Sequence, residues 1–203
     1  MTSQKASQAM REPTRKRGHE RVAALLNAAA SCFVEKGYDA VTLTEIAARA
    51  GASIGSLYQF FPSREALVQA LLAEYTEALY ARLATLVAQA GTWDIDQLGT
   101  QLIGFLVLFR RRYPAFAVLA ESASLPASHG TAIRKRLRAE LQAILRQKSP
   151  SMPLVTLQAA TIVVQQLMKA ALAINAEPGL PDRKNALAQL ERALQLYLRS
   201  ILS

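Results

Sequence analysis

Thr42, Ser53, Ser56, Tyr58, Gln59 and Arg64 fall in one stretch, TLTEIAARAGASIGSLYQFFPSR, running from Thr42 to Arg64. Their side chains are hydroxyls, an amide and a guanidinium, all groups that make hydrogen bonds. The histidines of the chain are His19 and His129 and its cysteine is Cys32, so spacing supplies no nucleophile beside a base and no carboxylate pair for acid–base work. The chemistry on offer is reversible recognition of a polar surface.

Two short helices and a tight turn must carry these groups. Thr42 and Glu45 have the T-x-x-E spacing of a capping box, which predicts a helix start at Thr42. Leu43, Ile46, Ala47 and Ala50 recur at helical spacing on one buried face, leaving Thr44, Ala48 and Arg49 outward. Gly51 ends this helix by taking the left-handed conformation. Ser53 caps a second helix to about Phe61, with Leu57 and Phe61 inward and Ser56, Tyr58 and Gln59 outward. Pro62 and Ser63 break and recap the chain, and Arg64 stands in the first turn of a long helix.

This is the outline of a helix-turn-helix. A second helix of this kind fits the major groove of DNA, its N-terminal residues reaching base edges while the first helix crosses the phosphate backbone. Gly55 and Ser56 keep its leading end small, although a helical glycine costs about 1 kcal/mol relative to alanine. That cost points to a steric demand. Spacing leaves its source open: DNA approaches Gly55, or a neighbouring helix packs on it and the polar residues form an ordinary solvated face.

The longer run AAASCFVEKGYDAVTLTEIAARAGASIGSLYQFFPSREAL, Ala28 to Leu67, closely resembles the N-terminal domain of the TetR family of transcriptional regulators. The likeness rests on Phe33, the turn Lys36, Gly37 and Tyr38, the capping threonine, the EIA core, the Ala-Gly turn, GSLY, and the Ser63 to Leu67 start of the next helix. It covers the first third of the chain; beyond it, length and helical layout alone agree. The resemblance implies that Thr42, Tyr58 and Arg64 contact phosphate, that Ile54, Gly55, Ser56 and Gln59 face base edges, and that the capping Ser53 approaches phosphate. Two residues depart from the family pattern. Phe60 replaces a common histidine and removes a phosphate donor, while Ser56 replaces the commoner threonine and lacks a methyl to touch a thymine methyl.

Composition agrees with a polyanionic partner. The chain has 203 residues, half of them hydrophobic, enough for a sizeable core, and a net charge of +9. Arg11, Arg15, Lys16, Arg17 and Arg21 form a basic arm with little apolar content, expected to be disordered over residues 1–16. No secretory signal precedes residue 17, so a cytoplasmic location is expected. One cysteine excludes an internal disulfide, no clustered ligands offer a metal site, and no cofactor is expected. Leu154 to Ile174 is long and apolar, but Gln158, Gln165, Gln166 and Lys169 interrupt it, which favours a buried interface helix over a membrane span.

After residue 63 the pattern is helix upon helix, with no strand alternation and no internal repeat. Helices are expected over Ser63 to about Gln89, Asp94 to about Arg112, Pro114 to Leu119, a segment after a loop at Pro126 to Gly130, Leu154 to Asn175, and Asp182 to Leu202. In the last pair, Leu187, Leu190, Leu194, Tyr197 and Ile201 step by three and four, as do Ala160, Val164, Leu167, Ala171 and Ile174. Such seams suit knobs-into-holes packing, either in an internal hairpin or in a four-helix bundle with a second copy. Leu157, Ile162, Val163, Met168 and Leu172 make the first helix of the pair apolar on another face, which favours a homodimer. The resemblance implies the same dimer and a small-molecule effector; Tyr75, Trp93, Phe105, Phe109, Phe116 and Met168 are candidates for its apolar lining, although each taken singly reads more readily as plain core.

The expected fold is all-α: a basic arm over 1–16, a three-helix helix-turn-helix domain over 17–62, and a helical effector-binding and dimerisation domain over 63–203. The expected function is a DNA-binding regulator, a repressor released by a small molecule, acting on a double-stranded operator and not as an enzyme. Two alternatives remain at this stage, an all-helical small-molecule carrier or enzyme and a charge-driven nucleoid or membrane-surface protein. Gln59→Ala separates them, because a sequence reader alone would change its preference.

Overall fold

The computed structural model describes residues 16–122 and 128–202. The expected basic arm, with Arg11 and Arg15, therefore lies outside the described residues except for Lys16, as does Pro126 of the expected loop. Among the described residues there are helices and no strands, as the sequence pattern requires. In chain order they are α1 (Lys16–Lys36), α2 (Leu43–Arg49), α3 (Ile54–Phe60), α4 (Arg64–Ala90), α5 (Ile95–Arg112), α6 (Pro114–Glu121), α7 (Ser128–Lys148), α8 (Leu154–Ala176) and α9 (Arg183–Leu202). Two boundaries differ from expectation by two residues or more, the others by one at most. The α6 helix continues past Leu119 to Glu121, and α7 already begins at Ser128, inside the expected loop.

Local signals account for the starts and stops. Asp94 caps α5 reciprocally with Gln97: the Gln97 N–H donates to Asp94 Oδ1 at 2.7 Å, and the Asp94 N–H donates to Gln97 Oε1 at 3.1 Å. Pro114 occupies the first turn of α6, where its missing N–H costs nothing.

The described residues group into two compact units, one within residues 1–77 and 113–126 and the other within 78–112 and 127–203. The core of the first joins Leu25, Ala29 and Phe33 of α1, Ile46 and Ala47 of α2, Leu57 of α3, Leu67, Leu71 and Tyr75 of α4, and Ala115 and Leu119 of α6. This core reaches past residue 62, because α2 and α3 are too short to bury a face between themselves. In the second unit α5 packs on α8 and α9, and α8 packs on α7 and α9. Leu98, Leu102, Phe105, Leu141, Ile144, Val164, Met168 and Leu198 fill its interior. Gly99 permits the α5–α9 approach, since a Cβ there would lie 2.6 Å from Cγ of Gln195.

Helix α8 passes a length and hydropathy test for a membrane span, with mean hydropathy 1.4. Its environment argues for a bundle helix instead. Gln165 is buried, accepts from Arg138 and donates to the Arg134 carbonyl, and the Thr161 hydroxyl donates to the Leu157 carbonyl.

The two dimer seams read from spacing need correction. Ala160, Val164, Ala171 and Leu194 are buried within the chain and offer nothing to a second copy, while Leu167, Leu187, Leu190, Tyr197 and Ile201 are half-buried. The three-four seam is consumed by α5, α8 and α9 packing on one another. Leu157 and Met168 are also inward. The large apolar residues that α8 and α9 leave outward are Leu154 at 56%, Val155 at 79%, Ile162 at 44%, Val163 at 38% and Leu196 at 54% exposure.

Candidate nucleic-acid interface

Both helix starts of the candidate interface form as their sequences require. The Thr42 hydroxyl accepts from the Glu45 N–H at 3.2 Å and the Glu45 carboxylate accepts from the Thr42 N–H at 3.0 Å, a complete capping box. Gly51, at φ 62°, closes the turn after α2 in a conformation that L side chains rarely adopt. The Ser53 hydroxyl then accepts from the Ser56 N–H at 3.1 Å and starts α3.

Long-range contacts hold the two helices in place. Arg49 of α2 donates in bidentate fashion to the Glu35 carboxylate of α1, both bonds at 2.6 Å. Lys36 reaches Glu45 across the same junction. Arg21 of α1 donates to the carbonyl of Gly51 at 3.3 Å. Leu57, fully buried, roots α3 in the core.

The opposite side of α3 is open. Ser53, Ile54, Gly55, Tyr58 and Gln59 are exposed, Ile54 at 37% and Tyr58 at 52%, and Ser56 is half-buried beside them. Apart from its chain neighbours and the backbone of its own helix, no atom of the described residues lies within 4 Å of where a Cβ of Gly55 would stand. The Tyr58 hydroxyl and the Gln59 amide have no hydrogen-bond partner among the described residues. A surface with a small leading residue, an exposed isoleucine and uncommitted donors is suited to base edges and phosphates. Phe60 is half-buried against the core of the unit, so the residue standing in place of a common histidine serves packing.

Two residues expected to contact phosphate are engaged elsewhere in the chain. The Thr42 hydroxyl donates to Glu45 Oε2 at 3.0 Å. The Arg64 Nη1 donates to the carbonyls of Tyr38, Asp39 and Val41 at 3.2–3.4 Å, and its guanidinium stacks 4.4 Å from the Tyr38 ring centre. Arg64 thereby pins the turn that delivers Thr42 to the start of α2. Arg64→Ala is expected to lower the stability of this unit by about 1–3 kcal/mol, the worth of hydrogen bonds to a charged group. It should weaken duplex binding while leaving the slope of log affinity against log salt unchanged; a slope smaller by about one phosphate would show a direct grip instead.

The sequence showed Glu45 as a cap but not as an acid-sensitive latch. Hydrogen bonds from Lys36, then from the Thr42 N–H and hydroxyl, hold its carboxyl down to about 2. A depressed folded value means that this contribution is present above the usual glutamate range and is lost as pH falls toward 2. Thermal melts between pH 6 and 2 should show a steeper acid limb for the parent than for Glu45→Gln, and identical limbs would contradict the assignment. The ion-pair partners Glu35 and Lys36 were equally unread, because their partners lie too far along the chain for periodicity to register.

The candidates for the effector lining are divided between the two compact units. Tyr75 and Phe116 meet edge-to-face at 6.2 Å in the first unit, and burial pushes the Tyr75 hydroxyl up to about 12. Phe105, Phe109 and Met168 are buried in the second unit. Trp93 precedes α5 and Phe109 sits in its last turn, with about 21 Å of helix between Ile95 and Phe109 at 1.5 Å per residue, which is long for the two to line one small cavity. A groove of about 280 Å³ does occur in the second unit, and it is lined by Arg138, Gln142, Gln158, Thr161 and Ile162.

Comparison with known proteins gives the same picture of the first unit. Residues 25–71 match the family model described as bacterial regulatory proteins, tetR family. The HTH-type transcriptional repressor KstR2 of Mycobacterium tuberculosis is 43% identical over 63 residues, which are 31% of this chain and 32% of that protein. The chain thus matches about a third of the length of the curated relatives. Over the whole fold, a transcriptional regulator from Cytophaga hutchinsonii superposes with a TM-score of 0.68 at 16% identity, covering 90% of this chain and 99% of its own. FadR of Bacillus subtilis, solved in complex with stearoyl-CoA, gives 0.63 at 16% identity, covering 87% and 96%.

Proposed function

We propose, from a head that belongs to the tetR family of bacterial regulatory proteins, that this protein is a sequence-reading transcriptional regulator, a repressor that a small molecule releases from its operator. The observation that carries the reading is the exposed edge of α3, where Gly55 faces open space and Tyr58 and Gln59 have no hydrogen-bond partners among the described residues. Ile54, Gly55, Ser56 and Gln59 face base edges. Tyr58 and the Ser53 cap address phosphate, with Thr42 as a contact that must compete with Glu45, and Arg64 sets the turn beneath them. A net charge of +9 adds the sequence-independent attraction that brings such a head to DNA.

The operator is read by a homodimer in the cytoplasm. Its interface is the outward apolar side of α8 and α9, where Val155, Val163 and Leu196 are solvent-exposed, with half-buried Leu167, Leu187, Leu190, Tyr197 and Ile201 at its margins. Two-fold symmetry then presents two α3 helices to half-sites about one helical turn, or a multiple of it, apart. Helix α4 has residues in both compact units and is the natural link between ligand and head. A ligand can shift this equilibrium only by binding the released conformation better, and DNA must weaken ligand binding by the same factor. The FadR complex with stearoyl-CoA supports an effector for a chain of this fold, without naming this one.

Light scattering at micromolar concentration is expected to give a dimer for the parent and a monomer for Val163→Asp with Leu196→Asp. The monomeric double variant should bind a palindromic duplex far more weakly. A monomeric parent that still binds such a duplex tightly would overturn the dimeric reading.

A further inference from the structure

We infer that the groove between α7 and α8 is a binding site for a small oxyanion, gripped by Arg138. Its walls are Arg138 and Gln142 from α7 and Gln158, Thr161 and Ile162 from α8, around a volume of about 280 Å³. That lies just below the usual range for small-molecule pockets, a size for a small ion or acid.

The argument begins beneath the groove. Gln165 is 1% exposed, and its Oε1 accepts from both Nε and Nη2 of Arg138, at 3.2 and 3.1 Å. Its Nε2 donates to the Arg134 carbonyl at 3.1 Å. The amide is thereby fixed from both ends, and it fixes one edge of the guanidinium in turn. The Nη1 edge remains without a partner among the described residues. A carboxylate at position 165 would hold the arginine equally well but cancel its charge; a neutral amide orients the charge and leaves it available.

Nothing on the two groove helices neutralises that charge. Glu140 is the one acidic residue of α7, and it pairs with Arg136 at 2.6 Å. Helix α8 has no acidic residue at all. Arg134 and Lys135 add to the positive potential, and Gln142 and Gln158 bring amide N–H donors to the groove wall. The Thr161 hydroxyl is spent as a donor on the Leu157 carbonyl, so it can only accept, and Ile162 gives one wall an apolar surface. A planar fork with a free edge, flanked by neutral donors, fits the in-plane oxygens of a carboxylate or the face of a phosphate.

The inference supplies a ligand class for the effector reading, but anion binding itself does not depend on DNA. Isothermal titration of the full-length protein with sodium hexanoate, with inorganic phosphate, and with chloride as the reference tests it. One site per chain is expected for hexanoate or phosphate; the first marks an organic acid as the source and the second a phosphate-bearing molecule. Arg138→Gln should weaken that binding about tenfold or more. Because Arg138→Gln also leaves Gln165 short of a donor, Gln158→Trp serves as a second variant that fills the groove and leaves the Arg138–Gln165 contact in place; it should abolish binding too. No binding of either anion, or binding unchanged in the folded variants, overturns the site. Adding the same anion to a protein–duplex titration then separates the two readings. Anion binding without any change in DNA affinity leaves the site standing and removes its role as an effector site.

Discussion

Gly55→Ala is expected to leave the fold at least as stable, by about 0.5–1 kcal/mol, and at the same time to weaken specific DNA binding by about 1–3 kcal/mol. The two halves come from one observation. Gly55 is helical, and a methyl group there meets no described residue within 4 Å other than its chain neighbours and its own helix backbone. Alanine therefore removes the entropic cost of glycine without any clash inside the protein. The position instead lies at the leading end of the exposed α3 edge, where a helix in the major groove comes nearest to the bases. Urea unfolding and a titration against a bound duplex, run on one preparation, measure both halves. Equal or greater stability with unchanged binding would mean that the small residue serves no approach by DNA. Reduced stability would mean that it serves the fold.

Phe33→Ala should cost about 3–5 kcal/mol, the range for deleting a fully buried aromatic ring. Phe33 is 0% exposed, lies 5.9 Å from the Tyr38 ring, and belongs to the cluster that seats α1, α2, α3, α4 and α6 together. Tyr38 in turn carries the stacked guanidinium of Arg64. A cavity at Phe33 thus undermines both the core and the turn before α2. Because domains have only about 5–15 kcal/mol of stability, a loss of this size removes a large share of it. The denaturation midpoint of the first unit should fall markedly, and DNA binding should fall with the folded fraction. A cost below about 1 kcal/mol would contradict the packing described for this core.

The parts legible in the sequence were those governed by nearest neighbours along the chain. The capping pair Thr42 and Glu45, the cap at Ser53, the stop at Gly51 and the inward Leu57 are all set within four residues, and each forms as expected. Partners chosen by the tertiary fold were not legible. Arg64 finds carbonyls at Tyr38, Asp39 and Val41, and Arg49 finds Glu35, contacts that no local spacing announces. The same limit explains the seams of α8 and α9. A three-four repeat marks a face that wants an apolar partner, but Ala160 and Val164 find theirs inside the same chain, leaving Ile162 and Leu196 outward. Aromatic content likewise marked Trp93 and Phe109 as pocket candidates, whereas Trp93 precedes α5 and Phe109 lies in its last turn. The groove that does occur is lined by arginine, glutamine and threonine, residues that a search for apolar linings passes over.

Selection of binding sites from a random duplex library at near-physiological salt tests the central claim most directly, with Tyr58→Ala and Gln59→Ala selected in parallel. The predicted result is a two-fold-symmetric site, bound more weakly by the tyrosine variant without a change in motif and read with an altered base preference by the glutamine variant. Recovery of no motif, with binding that disappears as salt rises, would contradict it and reduce the exposed edge of α3 to a charge-driven surface.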